Sequence, residues 1–233
     1  MAESSFALPS AVRDLAMRLG AASSPARYAT LTQTGRMKRA LGAETWMTFR
    51  AVQAISAQSC DFAWRARFGP LGLVHVCDAL QDGVGRLDVT ALGIVPIARI
   101  ARTPALARGE LMRYLAELAW VPDALLANRS LRWRVESPNC FVVAAGEEAA
   151  AAEVTLTLDS EGRIATTFAP DRPQSPIDPI LPTPWRGRLW DYRRHLGRWI
   201  PFAGEVAWEI GGKEEVYWQG QLKSWAENGA GAA

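Results

Sequence analysis

The sequence predicts a mainly β fold: a curled antiparallel sheet or half-barrel of about ten strands, with one inserted central helix and a helical N-terminus. Three observations carry this. Of ten tryptophans in 233 residues, six fall between Trp185 and Trp225, recurring about every nine residues, roughly one strand plus one turn. Apolar and polar residues alternate through Asp61–Phe68 and Leu131–Glu136, the pattern of half-buried antiparallel strands. Turn dipeptides separate such runs at Gly69-Pro70, Asp82-Gly83, Pro138-Asn139 and Gly211-Gly212. Short strands in this cadence argue for a curled sheet rather than β-α-β units.

The elements follow in order. Residues 9–19 read as a helix: Pro9 or Ser10 starts it, Val12, Leu15, Ala16 and Leu19 form a stripe, and Gly20 stops it. Residues 24–44 are polar and mixed and read as an irregular connector. Residues 1–44 are thus expected to pack on a sheet formed by residues 45–226, in one structural domain. Period two sets in after Thr45. Strands are expected at Asp61–Phe68, Leu73–Leu80, Arg86–Leu92 and Gly93–Ile100, with Asp82-Gly83 as a hairpin turn. Residues 107–120 revert to helical spacing through Leu111, Leu115 and Leu118, and Pro122 ends that helix. Strands resume near 131–135, 141–145, 154–158, 163–168, 189–196, 199–210 and 215–225, and the tail after Trp225 is expected to fray. Between Phe168 and Trp185, Pro170, Pro173, Pro176, Pro179 and Pro182 recur every third residue. That period suits a polyproline II segment, acting as a stiff strap, a lid or a docking peptide.

Composition excludes several classes. The net charge is +2 and the sequence pI about 8.6, without the basic stripe that nucleic-acid binding requires. Cys60, Cys77 and Cys140 are odd in number, widely spaced and lack a Cys-x-x-Cys motif, which points to reduced thiols in a cytoplasmic protein. The N-terminus does not read as a secretory signal, and no apolar run approaches the roughly 20 residues of a membrane helix. Two histidines leave no His-rich metal centre, and no P-loop, dinucleotide fingerprint or nucleophile elbow is present. No metal or cofactor is expected.

Three groups could carry chemistry. Glu110, Tyr114 and Glu117 share one helical stripe beside the leucine face. Two carboxylates and a phenol there could act as acid and base if burial raised one pKa, or could be boundary residues paired with strand arginines. Asp191, Tyr192 and His195 come together if 189–196 is a strand: Asp191 and His195 would share a face roughly 13 Å apart and line one cleft. His75 and Cys77 share a strand face, but their valine neighbours suit a sheet core. The aromatic residues suggest a pocket wall of Trp133, Trp185, Trp199, Trp208 and Trp218, with Arg186 at its rim. This constellation points to binding of a hydrophobic or aromatic small molecule, lipid-like or terpenoid-like. The alternative is a cofactor-independent lyase, isomerase or cyclase working in the same cavity; a proline-track adaptor is a third class.

Long motifs also carry a resemblance. RGELMRYLAELAWVPDALL (Arg108–Leu126), PTPWRG (Pro182–Gly187), IPFAGEVAWE (Ile200–Glu209) and YWQG (Tyr217–Gly220), with WMTF, FAWRAR and LGIVPIA upstream, resemble a large bacterial family of unknown function. The proline track lies outside that family's pattern. The implied architecture is similar to the half-barrel of bacterial lipoprotein carriers, a fold that binds acyl chains in some members and hosts cofactor-free enzymes in others.

Overall fold

The computed structural model describes residues 8–22, 24–100, 102–174 and 181–228. The chain opens with helix α1 (Ser10–Leu19), which Gly20 terminates at φ 83°. A Cβ at Gly20 would lie 2.2 Å from the Gly197 carbonyl oxygen, so glycine here answers both the turn and a close backbone approach. Strands β1 (Tyr28–Lys38), β2 (Trp46–Ser56), β3 (Phe62–Phe68), β4 (Val74–Gln81), β5 (Val84–Ala91) and β6 (Val95–Arg99) follow as one meander. Helix α2 (Pro104–Ala116), a 3-10 turn at Leu118–Trp120 and helix α3 (Ala124–Ala127) lead into a second meander. It comprises β7 (Arg132–Ser137), β8 (Cys140–Ala145), β9 (Ala152–Leu158), β10 (Ile164–Pro173), β11 (Pro182–His195), β12 (Arg198–Ile210) and β13 (Lys213–Asn228).

These thirteen strands form a single sheet with the order β6-β5-β4-β3-β2-β1-β13-β12-β11-β10-β9-β8-β7. The first and last strands therefore pair at its centre, with Tyr28 opposite Asn228 and Met37 opposite Trp218. The mainly β half-barrel expected from the sequence is present, with more strands than about ten. Residues 24–44 are not an irregular connector: most of them form β1, between β2 and β13. Its inward positions include Gln33 and Gly35, which interrupt the apolar alternation. The buried Gln33 accepts a hydrogen bond from Trp64 Nε1 at 2.8 Å and donates to Gln53 at 3.2 Å. At Gly35 a Cβ would meet the Gln219 carbonyl oxygen at 2.1 Å. Gly35, Gly220 and Gly204 lie opposite one another across β1, β13 and β12, a row that lets the sheet bend.

Helix α2 fills the concave side. Thr103 caps it by accepting from the Leu106 amide, and Pro104 occupies the first turn. Buried residues surround its axis: Leu106, Glu110, Leu111, Met112, Tyr114 and Leu115. A helix buried on all sides shows no single apolar stripe, so the sequence marks only part of its contact surface. Helical spacing continues to Trp120 only as the separate 3-10 turn. At the end of the sheet where β1 begins, Asp123 ties α1, α3 and β12 together. It accepts from the Ala22 and Ala26 amides at 2.9 and 3.2 Å and pairs with Arg198 at 3.0 Å. The indoles lock this end: Trp225 donates to the Trp120 carbonyl and Trp120 to that of Pro201.

The proline track is not one extended polyproline segment. Pro170 and Pro173 lie in β10, and Pro182 opens β11 directly opposite Pro173. Pro176 and Pro179 lie outside the described residues. The Gln174 amide donates to the Leu181 carbonyl at 3.0 Å, so the two described ends of the track run antiparallel to each other.

Candidate functional site

With one end closed, the concave side retains a cavity of about 690 Å³ toward the opposite end, within the range of small-molecule sites. One wall comes from the first meander. Inward alternation places Met37, Met47, Trp64, Phe68, Val74 and Val76 along it. The other wall comes from β11–β13, with Trp185, Leu189, Val206, Tyr217 and Trp218, while Trp120 and Ala116 line the helical side. Trp218 stacks on Phe49 at 5.8 Å between centroids and meets Trp120 edge-on at 6.5 Å. Its ring folds over Gly220, where a Cβ would lie 2.2 Å from the indole.

The polar groups are gathered around α2. Arg113 pairs with Glu117 at 2.9 Å one turn on and with Asp78 of β4 at 2.5 Å. Its guanidinium also lies over the rings of Phe62 and Trp64. Gln53 donates to the second oxygen of Glu117, which extends the chain back to Gln33 and Trp64. Behind Asp78 lies Glu110, fully enclosed. Burial and the neighbouring Asp78 hold its carboxyl well above the usual glutamate range, against the opposing pull of Arg172 and Arg113. Asp78 Oδ1 and Glu110 Oε2 have no hydrogen-bond partner among the described residues. The upward shift favours the protonated form of Glu110, which would be a donor beside Asp78. Arg172 stacks over Trp185 at 4.4 Å and over Trp208 at 5.6 Å, and its Nε donates to the Gly109 carbonyl. Farther out, Lys38 pairs with Glu215, and Arg188 with Glu205 and Glu214.

The structure distributes the residues singled out from the sequence. Glu117 lines the cavity and Glu110 sits one layer behind it. Tyr114 is turned away: its hydroxyl donates to the Ser56 carbonyl and accepts from Asn128, and burial pushes its pKa upward. Trp185 and Trp218 line the wall, and Trp208 backs it, stacked on Tyr217 and Arg172. Trp133 and Trp199 do not reach the cavity lining, and Trp199 lies beside Arg163. Arg186 pairs with Glu214 over the Phe168 ring, outside the lining. Asp191, Tyr192 and His195 do not meet in one cleft. Asp191 takes φ 57°, interrupting the β11–β12 ladder, and pairs outward with Arg193. Tyr192 donates to the Ile164 carbonyl, and His195 packs edge-on against Phe202 and Trp225. His75 and Cys77 alternate with the cavity-facing Val74, Val76 and Asp78, so they face the outer side.

The sequence reading missed Asp78, Arg113, Arg172, Trp64 and Trp120. Asp78 alternates with Val74 and Val76, and that period-two signal could have identified it. Arg113 lies one turn before Glu117, at the spacing of a helical ion pair. Among the described residues no cluster of three or more His, Cys, Asp or Glu side chains could hold a metal ion, and no helix is long and apolar enough to cross a membrane.

Comparison with known proteins places the chain in a family. Residues 1–220 match the family of unknown function DUF6544, and the chain belongs to it. No curated protein matches it significantly. Among solved structures, a LolA superfamily protein from Nitrosomonas europaea superposes with a TM-score of 0.52 at 12% identity, covering 93% of both chains. A DUF1329 family protein from Desulfovibrio piger superposes with a TM-score of 0.53 at 9% identity, covering 96% of this chain and 94% of its own. At such identities the likeness shows the fold alone, a lipoprotein-carrier-like half-barrel.

Proposed function

Taking the chain as a DUF6544 member with this sheet, we propose that it binds a hydrophobic small molecule, lipid-like or terpenoid-like, on the concave face. The observation that carries this reading is the cavity of about 690 Å³ walled by methionines, valines and indoles. Its charged groups are gathered around α2 and at the margins, so an apolar body would lie against Val74, Val76, Val206 and Trp218 with its polar end beside Arg113 and Arg172. The fold, shared with a LolA superfamily protein, supports the reading only in supplying a curled sheet with a concave face. The free cysteines, Cys60, Cys77 and Cys140, suit a cytoplasmic setting. The test is a titration with oleic acid, read by tryptophan emission. Wild type is expected to show saturable quenching, and Val206→Trp, which fills the cavity, to weaken it about tenfold or more. A folded wild type that binds neither oleate nor a terpenoid such as farnesol would overturn the reading.

A second reading, proton-transfer catalysis without a cofactor, has one specific observation behind it. The Asp78–Glu110 pair places a carboxylate that lines the cavity against a buried neutral acid, an arrangement suited to acid and base roles. Native mass spectrometry of freshly purified wild type and Asp78→Asn separates the two. A different bound species in the variant favours catalysis; the same species in both favours binding alone.

A further inference from the structure

The end of the sheet opposite α1 bears apolar side chains that no part of the described chain covers. The β3–β4 turn presents Leu71 and the β5–β6 turn presents Ile94, 79% and 80% exposed. Leu73, Leu92, Val95 and Ile97 beside them are exposed as well. The Leu92 amide donates to the Leu73 carbonyl at 2.7 Å, which joins the two turns into one projecting ridge. The ridge is continuous with the cavity: Phe68, Val74 and Ile97, which flank the two turns, line it.

Cations accompany the ridge. Arg50 and Arg67 lie directly opposite each other on the outer face of β2 and β3. Like charges so placed repel unless a counter-charge arrives, and neither pairs with a carboxylate among the described residues. The stem of Arg67 packs beside Gly72 at the base of the Leu71 turn. Arg39, exposed in the β1–β2 turn, lies at the same end.

We infer that this ridge docks on the surface of an anionic lipid bilayer, with Leu71 and Ile94 inserted among the acyl chains and Arg50 and Arg67 against the headgroups. Aliphatic side chains on narrow turns with flanking arginines match an interface that is apolar below and negatively charged above. A second copy fits less well. The ridge is two narrow turns rather than a flat face, and Pro96, on the edge strand β6, lacks the amide that strand addition would use. Docked this way, the cavity mouth faces the bilayer, which gives a hydrophobic ligand a route that avoids water. Docking itself does not depend on the cavity being occupied.

Flotation with vesicles tests it. The full chain is mixed with phosphatidylcholine vesicles with or without phosphatidylglycerol, whose anionic headgroups give the surface a negative potential. Wild type is expected to float with the anionic vesicles and to be released by added salt. Leu71→Asp and Ile94→Asp should each weaken flotation about tenfold. Arg50→Glu with Arg67→Glu should remove the preference for phosphatidylglycerol. Melting temperature and oleate quenching, measured in parallel without vesicles, should be unchanged in all variants, so that docking and ligand binding fail separately. Absence of flotation on either vesicle, or flotation that survives both aspartate substitutions, would overturn the proposal. A dimer in sedimentation that Ile94→Asp dissociates, with no flotation, would overturn it too and assign the ridge to a second copy.

Discussion

Glu110 is the most strongly perturbed carboxyl beside the cavity. Its neighbours come from three elements: Arg113 of α2 itself, Asp78 of β4 and Arg172 of β10. With its folded pKa raised, the folded state holds a proton that the unfolded chain releases above about pH 4.3. Stability from this group is therefore full below that pH and lost as pH rises toward the folded pKa, at up to about 1.4 kcal/mol per pH unit. Glu110→Gln preserves the shape and the donor and removes the titration. Denaturant titrations from pH 4 to 9 should give a falling slope in wild type that the variant lacks, with the variant more stable at the alkaline end. Equal slopes would mean that Glu110 is charged in the folded state. Glu117 has a different role, as the ion-pair partner of Arg113 one turn earlier. Glu117→Gln leaves Arg113 with Asp78 as its one ion-pair partner among the described residues and should cost about 1–3 kcal/mol, the range for leaving a buried polar group underpaired; thermal melts of the variant and wild type check this. The sequence grouped Glu110, Tyr114 and Glu117 on one helix; the first two lie in α2 and Glu117 is its C-cap. The sequence could not separate their roles, because those depend on Asp78, Ser56 and Asn128 arriving from elsewhere in the chain.

At the scale of elements, α2 decides the shape of the interior. It crosses the concave face because β5 lets it approach: at Gly85 a Cβ would lie 2.9 Å from the Ala107 amide nitrogen and from Leu106 Cγ. Gly85→Val should push the helix away and lower stability by about 1–3 kcal/mol, the usual cost of overpacking. Gly83→Ala, two residues away with open space around it, should cost only its backbone strain at φ 74°. Thermal melts of the two variants side by side check this, and a Gly85→Val protein as stable as Gly83→Ala would show that the helix packing adjusts freely. Most strands were legible because one face is apolar and turns bound them. β1 was not, since its inward Gln33 and Gly35 serve a hydrogen-bond relay and a close strand approach rather than an apolar contact. The proline spacing misled for a related reason. Pro173 and Pro182 sit at a strand end and a strand start in register, positions that tolerate proline, so a spacing of three does not by itself mark a polyproline helix.

For the whole molecule, the order of strands matters more than their number. Each meander is built from neighbours in sequence, yet the sheet is joined only where β1 meets β13, with Tyr28 opposite Asn228. No local pattern in the sequence announces that pairing, which is why the half-barrel class was legible and its central seam was not. The cavity inherits the same dependence, since its two walls lie on opposite sides of the seam. The interior also crosses it: Trp120, between the meanders, bonds to Pro201 and receives Trp225, while Arg113 of α2 reaches Asp78 of β4. Neither meander can retain its core when the other detaches, so the chain is expected to unfold in one cooperative step. Near-ultraviolet dichroism, reporting the packed indoles, and far-ultraviolet dichroism, reporting the strands, should then fall at the same denaturant concentration. Saturating oleate should move both midpoints together, because a ligand held by both walls stabilises only the joined sheet. Two separated transitions, with oleate shifting only one, would mean that the meanders are independent units and that one of them alone builds the site.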